Sequence, residues 1–344
     1  MGSPPPLIRR LVPRLPRNLG GLFGLLGLLA LLSSCGGGPI VATSTGRILY
    51  VATTNGIYGF SIMSTGTLSP ISSQPLVTND VQQIAVTPGI PTDQSTPLLL
   101  GASGGGSLSV WTVGSGGSLT PTTSLSCSGL SLITGVTVTA DSQYVIVVDG
   151  RANSSNLGLI AFPTPTTCST GSSSSFYPLQ PAIDCAVSGS NPCILFLTGS
   201  TSLTSPLTPT TPLEIPLTPS SGAFGASSSP YTCSSGSCPL GVTFDPTTVF
   251  FYASFTGTSP PSLQSIAPEA QSSTSSATFP SSAPVNYPCV DTVGGVVYTP
   301  TANGFLYAAS TDASGSLSAV TTVLTPTSLP VSLAMTSCAV ATNP

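Results

Sequence analysis

The sequence contains neither histidine nor lysine, and charged residues make up only 5% of its 344 residues. Without histidine, a Ser-His-Asp triad, a histidine-ligated haem and a Cys/His zinc site are excluded. Arginine is the only basic residue, and four of the six arginines lie at the N-terminus, at Arg9, Arg10, Arg14 and Arg17. Because binding to nucleic acid requires clustered Lys and Arg on the folded protein, that class of function is excluded.

The shortage of charge does not predict disorder, because apolar residues make up 40% of the chain. They occur in short runs of Val, Ile, Leu, Tyr and Phe, and clusters of Ser, Thr, Gly and Pro separate these runs. This is the pattern of strands joined by turns. No apolar period of 3.6 residues is sustained beyond the N-terminal leader. The sequence therefore predicts an all-β fold.

The N-terminal leader predicts export. A basic segment precedes a 14-residue apolar stretch from Leu19 to Leu32. This stretch is short for crossing about 30 Å of hydrocarbon and suits the apolar region of a signal peptide. It runs into LLSSC at 31–35, which resembles a bacterial lipobox. We interpret 1–34 as a lipoprotein signal peptide; an ordinary secretory signal with a chance cysteine and a transmembrane anchor are the alternatives.

Cys35 is the residue that a lipobox would lipidate. The resemblance implies a diacylglyceryl group on its thiol and palmitate-type acyl chains as the membrane contact, with 35–46 as a lipidated linker. Gly36 follows it, where an aspartate retains lipoproteins in the inner membrane of enteric bacteria, so we expect the outer membrane, facing the periplasm or the cell surface. Cleavage would leave two arginines against ten acids, a charge of about −8, which excludes attraction to anionic headgroups.

Eight cysteines remain after Cys35, and an even number in an exported protein indicates disulfides. Metal binding is disfavoured because no Cys-x-x-Cys pair is present. Many connectivities are open, and closeness in sequence favours Cys185–Cys193, across a predicted hairpin turn, and Cys233–Cys238, across a Ser/Gly loop. Cys289–Cys338 is favoured next, which leaves Cys127–Cys168 as the remaining pair.

Two similar segments, RILYVATTNGIYGFSIMSTGTLSPI at 47–71 and VVYTPTANGFLYAASTDASGSLSAV at 296–320, mark the ends of a repeat. Apolar runs recur about every 50 residues, at 48–54, 97–103, 144–150, 193–199, 249–255 and 296–302. Alternating strands precede the later runs, at 82–88, 134–140, 182–188, 240–246 and 288–294, and a sixth ends the chain at 331–337. A signature of the form Gly-small-apolar-Ser/Thr-Pro/Ala recurs at 66–70, 117–121, 222–226 and 315–319.

Four short strands per repeat of this length are typical of the blades of a β-propeller. The array begins with a second strand and ends with a first strand, so we expect the two termini to complete one blade and leave no exposed sheet edge. The count gives six blades over 47–344. Seven is the alternative, if PIVAT at 39–43 and CAVAT at 338–342 pair in an additional blade.

The blades resemble those of the YVTN-type propellers, which are grouped with lactonases and 6-phosphogluconolactonases. The resemblance rests on LYVAT, GFSI and GTLSP in the first repeat and on the turns in TADSQYVIVV (139–148) and FDPTTVFFYA (244–253). It spans about 47–344 and is loose over 150–240. It implies opening of a sugar lactone by His, Arg and Glu side chains, and this chain has no histidine to supply.

The carboxylates have two predicted roles. Asp141 and Asp245 follow first strands, where we expect them to cap turns by accepting backbone hydrogen bonds. Asp184 and Asp291 lie within first strands, which line a propeller's channel, and they are the candidate ligands of a cation such as Ca²⁺ or of a hydroxylated molecule. The alternative is that Asp184 and Asp291 face water in the channel and bind no ligand. Asp149 is predicted to form a weak surface ion pair with Arg151.

Two further features are predicted to be structural. Trp111 is expected to pack between blades, and the Thr/Pro-rich segment 204–219 is expected to be an extended loop on the rim.

Two functions remain compatible with the residues. The first is a monomeric, non-catalytic scaffold that binds an envelope protein or glycan. The second is a diverged lactonase that uses carboxylates and a divalent cation. A third acid converging with Asp184 and Asp291 to within about 5 Å would favour the second.

Overall fold

The computed structural model describes residues 43–87, 96–139, 143–151, 156–161, 168–171, 176–185, 193–202, 207–218, 221, 223–229, 231–234, 237–267, 273–280, 284–328 and 333–342. These belong to the unit Thr43–Pro344, which is distinct from Met1–Ala42. The predictions for the signal peptide, Cys35 and Asp141 fall outside the described residues. No helix with the length and hydrophobicity needed to cross a bilayer occurs within these ranges.

The described strands form six antiparallel sheets, which we number as blades 1 to 6 in chain order. The first strands of blades 2 to 6 are β4 (Gln83–Thr87), β9 (Ile133–Val138), β13 (Tyr177–Asp184), β17 (Pro239–Asp245) and β21 (Cys289–Asp291). The second strands of blades 1 to 6 are β1 (Ser44–Thr53), β5 (Leu98–Ala102), β10 (Tyr144–Asp149), β14 (Cys193–Ser200), β18 (Phe250–Phe255) and β22 (Val296–Pro300).

The fourth, outermost strand of each blade is the most exposed one. The third strands are β2 (Gly56–Met63), β6 (Ser107–Val113), β11 (Leu157–Ala161), β15 (Pro209–Thr218), β19 (Ser262–Ile266) and β23 (Leu306–Ser310). The fourth strands are β3 (Leu68–Pro70), β7 (Leu119–Pro121), β12 (Cys168–Gly171), β16 (Ala223–Phe224), β20 (Ser273–Thr278) and β24 (Thr321–Leu324). A short strand β8 (Leu125–Ser126) also pairs with β6, and 3-10 turns lie at Ser115–Gly117 and Pro326–Ser328.

The C-terminal strand β25 (Met335–Thr342) is the first strand of blade 1 and pairs with β1. The first strands of adjacent blades contact each other in a closed cycle that runs β25, β4, β9, β13, β17, β21 and back to β25. The protein is therefore a six-bladed β-propeller whose ring is closed by both ends of the array, as predicted. The seven-blade alternative is wrong, because CAVAT lies within β25 and pairs with β1 instead of forming another blade.

The closing strand lies further along the chain than predicted, at Met335–Thr342 instead of 331–337. In β25, Val340 lies opposite Leu49 and Ala339 lies opposite Tyr50. This register buries Cys338, Ala339 and Ala341 between blades. The side chains that fix the position of this strand therefore belong to MTSCAVAT (335–342). Residues 329–332 lie outside the described residues.

The hydrophobic core is divided among the six seams between neighbouring blades, with one buried cluster at each seam. Along β1, Leu49 and Val51 pack against blade 6, whereas Tyr50 and Ala52 pack against blade 2. Successive side chains of a strand point to opposite faces, so a second strand is buried on both faces and needs a continuous apolar run. Trp111 lies in the cluster between blades 1 and 2, as predicted.

The prediction of an extended loop at 204–219 is wrong, because this segment contains β15, the third strand of blade 4. Leu213 and Ile215 lie opposite Leu197 and Leu195 of β14. Proline is tolerated in β15 because the outer partner β16 pairs with only its last two residues, so few hydrogen bonds are required on that side. The apolar alternation within the Pro-rich segment therefore decides its structure.

The four disulfides of the structure are the four predicted pairs. Cys289–Cys338 joins the first strands of blades 6 and 1, and Cys127–Cys168 joins the end of blade 2 to the outer strand of blade 3. Cys185–Cys193 lies within blade 4, and Cys233–Cys238 closes the loop that leads into blade 5. Two of the bonds therefore cross seams, which we name seam 6/1 and seam 2/3.

Candidate functional site

The central channel encloses a cavity of about 370 Å³ that is lined by all six first strands. Within the described part of the chain, its lining contains no charged side chain. Each first strand contributes a branched or aromatic residue to this wall near its C-terminal end: Val86, Val138, Ile183, Phe244, Val290 and Val340. Hydroxyl and amide groups, among them those of Thr137, Thr243 and Gln180, complete a wall that is polar only in places.

In blades 2 to 6, the residue that follows this apolar position is a buried threonine or aspartate. The Oγ1 atom of Thr87 accepts a hydrogen bond from the Leu98 backbone amide at 3.0 Å. The Oδ1 atom of Asp245 accepts bonds from the amide and the hydroxyl of Thr247, at 2.8 and 2.7 Å. These side chains therefore hold the turn between the first and second strands, which is the role predicted for Asp245.

Asp184 and Asp291 occupy this same position in blades 4 and 6. Their exposed fractions are only 4% and 2%, and neither belongs to the lining of the channel. Blades 4 and 6 are not neighbours in the ring. Among the described residues, no group of three or more acidic or cysteine side chains has the arrangement of a metal site. The structure thus does not bring the two predicted ligands together with a third acid.

Asp291 instead forms an ion pair with Arg47 across seam 6/1. Its Oδ2 atom accepts a short hydrogen bond from Arg47 Nη1, and its Oδ1 atom accepts one from the Gly294 amide at 3.0 Å. A Cβ atom at Gly294 would collide with Arg47 Nη1 and lie 2.5 Å from Asp291 Oδ2. The absence of a side chain at 294 therefore gives the guanidinium its path to the carboxylate.

A second cavity, of about 390 Å³, opens beside this ion pair between blades 6 and 1, and we name it the seam cavity. Ser64 and Thr65 line it from blade 1, and Ser310, Ser318 and Thr321 line it from blade 6. Its apolar lining consists of Ile62, Met63, Val296, Tyr298, Ala308, Ala319 and Val323. The seam cavity therefore combines one charged pair with hydroxyl groups and an apolar surface.

Burial raises the pKa of the Tyr298 phenol to about 12, and the nearby Asp291 carboxylate adds to this effect while Arg47 opposes it. Tyr298 therefore stays protonated at neutral pH. It is 2% exposed and contributes mainly packing surface to the seam cavity.

The predicted ion pair between Asp149 and Arg151 is confirmed, but only Arg151 is exposed, and the carboxylate of Asp149 does not lie on the surface. Asp149 is fully buried and accepts hydrogen bonds from Arg151 Nε and Nη2, at 2.8 and 2.6 Å. The backbone amides of Ser131, Leu132 and Arg151 also donate to it, at 2.8, 3.2 and 3.0 Å. Burial acts to raise the pKa of Asp149, but these hydrogen bonds outweigh it and hold the pKa below its usual value.

This arrangement ties blade 3 to the connection that arrives from blade 2, since Arg151 Nη2 also donates to the Gly129 carbonyl at 3.1 Å. The sequence shows Asp149 and Arg151 only two positions apart, which explains the surface interpretation. Asp149 ends β10 and is covered by the loop that precedes blade 3, and two residues that are close in sequence give no sign of that burial.

The seam cavity was missed from the sequence. Its two charged residues lie 244 positions apart, and each was interpreted separately, as a blade start and as a channel acid. The available signal was that Arg47 lies in the first repeat and Asp291 in the last, and these two repeats become neighbours when the ring closes.

No protein-family profile and no curated protein matches the chain. Solved structures match its fold. A chain of a nidogen–laminin complex is 11% identical with a TM-score of 0.57, and the match covers 86% of this chain and 98% of that one. A candidate 6-phosphogluconolactonase of Bacteroides uniformis is 14% identical with a TM-score of 0.50, covering 79% and 81%. A protein from Lactobacillus plantarum is 13% identical with a TM-score of 0.50, covering 80% and 81%.

At these identities the likeness concerns the fold. The chain is a six-bladed β-propeller, and 6-phosphogluconolactonase-like propellers are among its structural neighbours.

Proposed function

We propose that this protein is a lipid-anchored, extracytoplasmic propeller that binds an envelope protein or glycan and does not catalyse a reaction. The observation that carries the proposal is the placement of the first-strand carboxylates. Asp184, Asp245 and Asp291 are buried behind the channel wall, and the described lining of the channel carries no charge.

General acid–base catalysis needs a titratable group within hydrogen-bond reach of the reacting atoms. Hydroxyl, amide, aliphatic and aromatic groups, together with the Cys289–Cys338 disulfide, make up the described channel wall. They suit reversible contacts with an uncharged ligand or a protein loop better than proton transfer. The four disulfides support folding in an oxidising compartment, which agrees with the export signal in the sequence.

The catalytic half of the proposal is tested by assaying the purified protein with 6-phosphogluconolactone and with simple γ- and δ-lactones, with and without Ca²⁺ or Mg²⁺. We expect no hydrolysis above the buffer rate. Metal-dependent hydrolysis that is lost in Asp184→Asn but kept in the surface control Asp80→Asn would overturn the proposal and favour the lactonase alternative.

The anchoring half is tested with Cys35→Ser in a bacterial host that is labelled with an alkyne analogue of palmitate. The wild-type protein should incorporate the label and fractionate with the outer membrane. The variant should lose both properties. Unchanged label and fractionation in the variant would contradict anchoring at Cys35.

A further inference from the structure

We propose that the seam cavity binds a neutral saccharide through Arg47, Asp291 and the hydroxyl groups of both blades. This inference rests on the proposed function, since it selects a glycan from the two kinds of partner and assigns it a site. The volume of about 390 Å³ lies within the range of about 300–1,000 Å³ that is usual for small-molecule sites.

Arg47 provides the directional donor. Its Nε atom donates to Thr45 Oγ1 at 3.2 Å, and its Nη1 atom donates to Asp291. Among the described residues, Nη2 has no hydrogen-bond partner, and the side chain is 15% exposed. A guanidinium is planar, so fixing two of its nitrogens fixes the direction of the third. The remaining N–H groups are therefore oriented in advance for an acceptor in the seam cavity.

Asp291 decides which acceptor is favoured. Its carboxylate is 2% exposed and compensates the charge of Arg47. A phosphate, sulfate or carboxylate would gain from Nη2 but would be repelled by Asp291 at close range. A sugar hydroxyl can accept from Nη2 and can also donate to a neighbouring carboxylate or carbonyl oxygen. The charge pair therefore favours a neutral polyhydroxylated ligand over an anion.

The two walls of the seam cavity match the amphipathic character of a sugar ring. Ser64, Thr65, Ser310, Ser318 and Thr321 are exposed hydroxyl residues on opposite sides of the cavity. Ser318 already accepts from the Ser310 amide at 2.8 Å, and Thr321 donates to the Ala308 carbonyl at 3.3 Å. A hydroxyl has one donor and two acceptor positions, so both retain capacity for a ligand. Val296 and Val323, which are partly buried, provide surface for the C–H face of a ring.

The proposal is tested on the full-length protein by saturation-transfer NMR and calorimetry. The probes are glucose, galactose, N-acetylglucosamine and their disaccharides, with inorganic phosphate and sulfate as the anion arm. We expect at least one neutral saccharide to bind with a Kd in about the millimolar range. Failure of every neutral saccharide at 50 mM, or binding of the anions alone, would overturn the proposal.

A matched pair of variants locates the site. Ala319 is the last residue of the signature GSLSA, it is exposed and it lines the seam cavity. Ala319→Trp should fill the cavity and abolish saccharide binding. Ala226 ends the corresponding signature GAFGA of blade 4, is also exposed and lies away from the cavity, so Ala226→Trp should bind as the wild type does. Binding that survives in Ala319→Trp would refute this location.

Arg47→Lys tests the role of the third guanidinium nitrogen. The variant keeps a cation for Asp291 but loses the planar fork, so we expect affinity to fall by about tenfold or more. The melting temperature of each variant shows whether the fold is intact. The test is independent of anchoring, because a protein that fails to acquire lipid on Cys35 can still be titrated with saccharide.

Discussion

Seam 6/1 and seam 2/3 each combine one disulfide with one arginine–aspartate pair, but they differ in how far apart along the chain their partners lie. Arg47 and Asp291 are 244 residues apart, whereas Asp149 and Arg151 are two residues apart. The continuous chain crosses both seams, from β8 into β9 at seam 2/3 and from β24 into β25 at seam 6/1. At seam 6/1, however, β25 has to pair with β1 from the start of the array, and Arg47 of β1 binds Asp291 of blade 6. The bonds at seam 6/1 therefore hold the elements that close the ring.

The two disulfides also lie at different depths. Cys289 and Cys338 are on or within first strands and are buried beside the channel. Cys168 is on the outer strand β12 and is only partly buried. The inner bond therefore fixes the strand that completes blade 1, whereas the outer bond fastens the rim of two blades that are already complete.

Removal of β25 should have the largest effect of the changes that test this comparison. A chain ending at residue 334 lacks the first strand of blade 1 and exposes the edge of β1, so we expect aggregation and loss of cooperative thermal unfolding. Circular dichroism melting and size-exclusion chromatography measure this. Removal of only residues 343–344, which follow β25, serves as the control and should leave melting unchanged. A cooperative transition in the longer truncation would show that closure is dispensable.

Replacing the two seam disulfides separately should give the next largest effects. Their sequence separations are 49 and 41 residues, so loop entropy alone assigns about 4 kcal/mol to each. We expect C289A/C338A to destabilise the protein more than C127A/C168A does, because only the first pair of substitutions removes a covalent bond from β25, the strand that closes the ring. Guanidinium unfolding measures both. Equal losses of unfolding free energy would mean that each disulfide stabilises the protein by restricting the unfolded chain, and that its position in the ring has no effect.

Arginine replacement should separate the two ion pairs. Without Arg47, Asp291 keeps a single backbone hydrogen-bond donor and stays buried, and we expect Arg47→Met to cost about 3–5 kcal/mol. Without the Arg151 side chain, Asp149 keeps three backbone donors, so Arg151→Met should cost less. Chemical denaturation at neutral pH provides the comparison. A larger loss for Arg151→Met would contradict the assignment of seam 6/1 as the more dependent seam.

The smallest expected effect is a change in acid sensitivity. The folded-state pKa of Asp149 is lowered, so its stabilising contribution is complete above the ordinary aspartate pKa of about 3.9 and is lost as the pH falls toward the folded-state value. Asp149→Asn should therefore flatten the loss of stability as the pH falls below about 4. The measurement is the melting temperature across that range. If the melting temperature of the variant falls with pH as steeply as that of the wild type, Asp149 does not contribute to the acid sensitivity.

The repeat arrangement was predictable because propeller strands carry strong local patterns. Runs such as ILYVATT and CILFLTG are buried on both faces, which requires continuous apolar residues. The same physical cause allowed the six-blade count and the terminal closure to be predicted. Two disulfide pairs followed from closeness in sequence, since Cys185–Cys193 and Cys233–Cys238 span only eight and five residues. Cys289–Cys338 was the next choice, and Cys127–Cys168 was the pair that remained.

The remaining features depend on which residues meet only after the ring forms. The Pro-rich strand β15 was missed because proline signals outweighed the alternation of Leu213, Ile215 and Leu217. The burial of Asp149 and the contact between Arg47 and Asp291 depend on loops and strands from neighbouring blades. Local patterns carry no information on such partners, which is why the seam cavity could not be predicted.

The pairing of β1 with β25 has a consequence for the order of synthesis. β1 leaves the ribosome long before its partner β25, so blade 1 stays incomplete until β25 has been translated. Cys289 likewise waits for Cys338 before the two can form their disulfide. A chain that stops before β25 therefore carries both an unpaired thiol and an open blade.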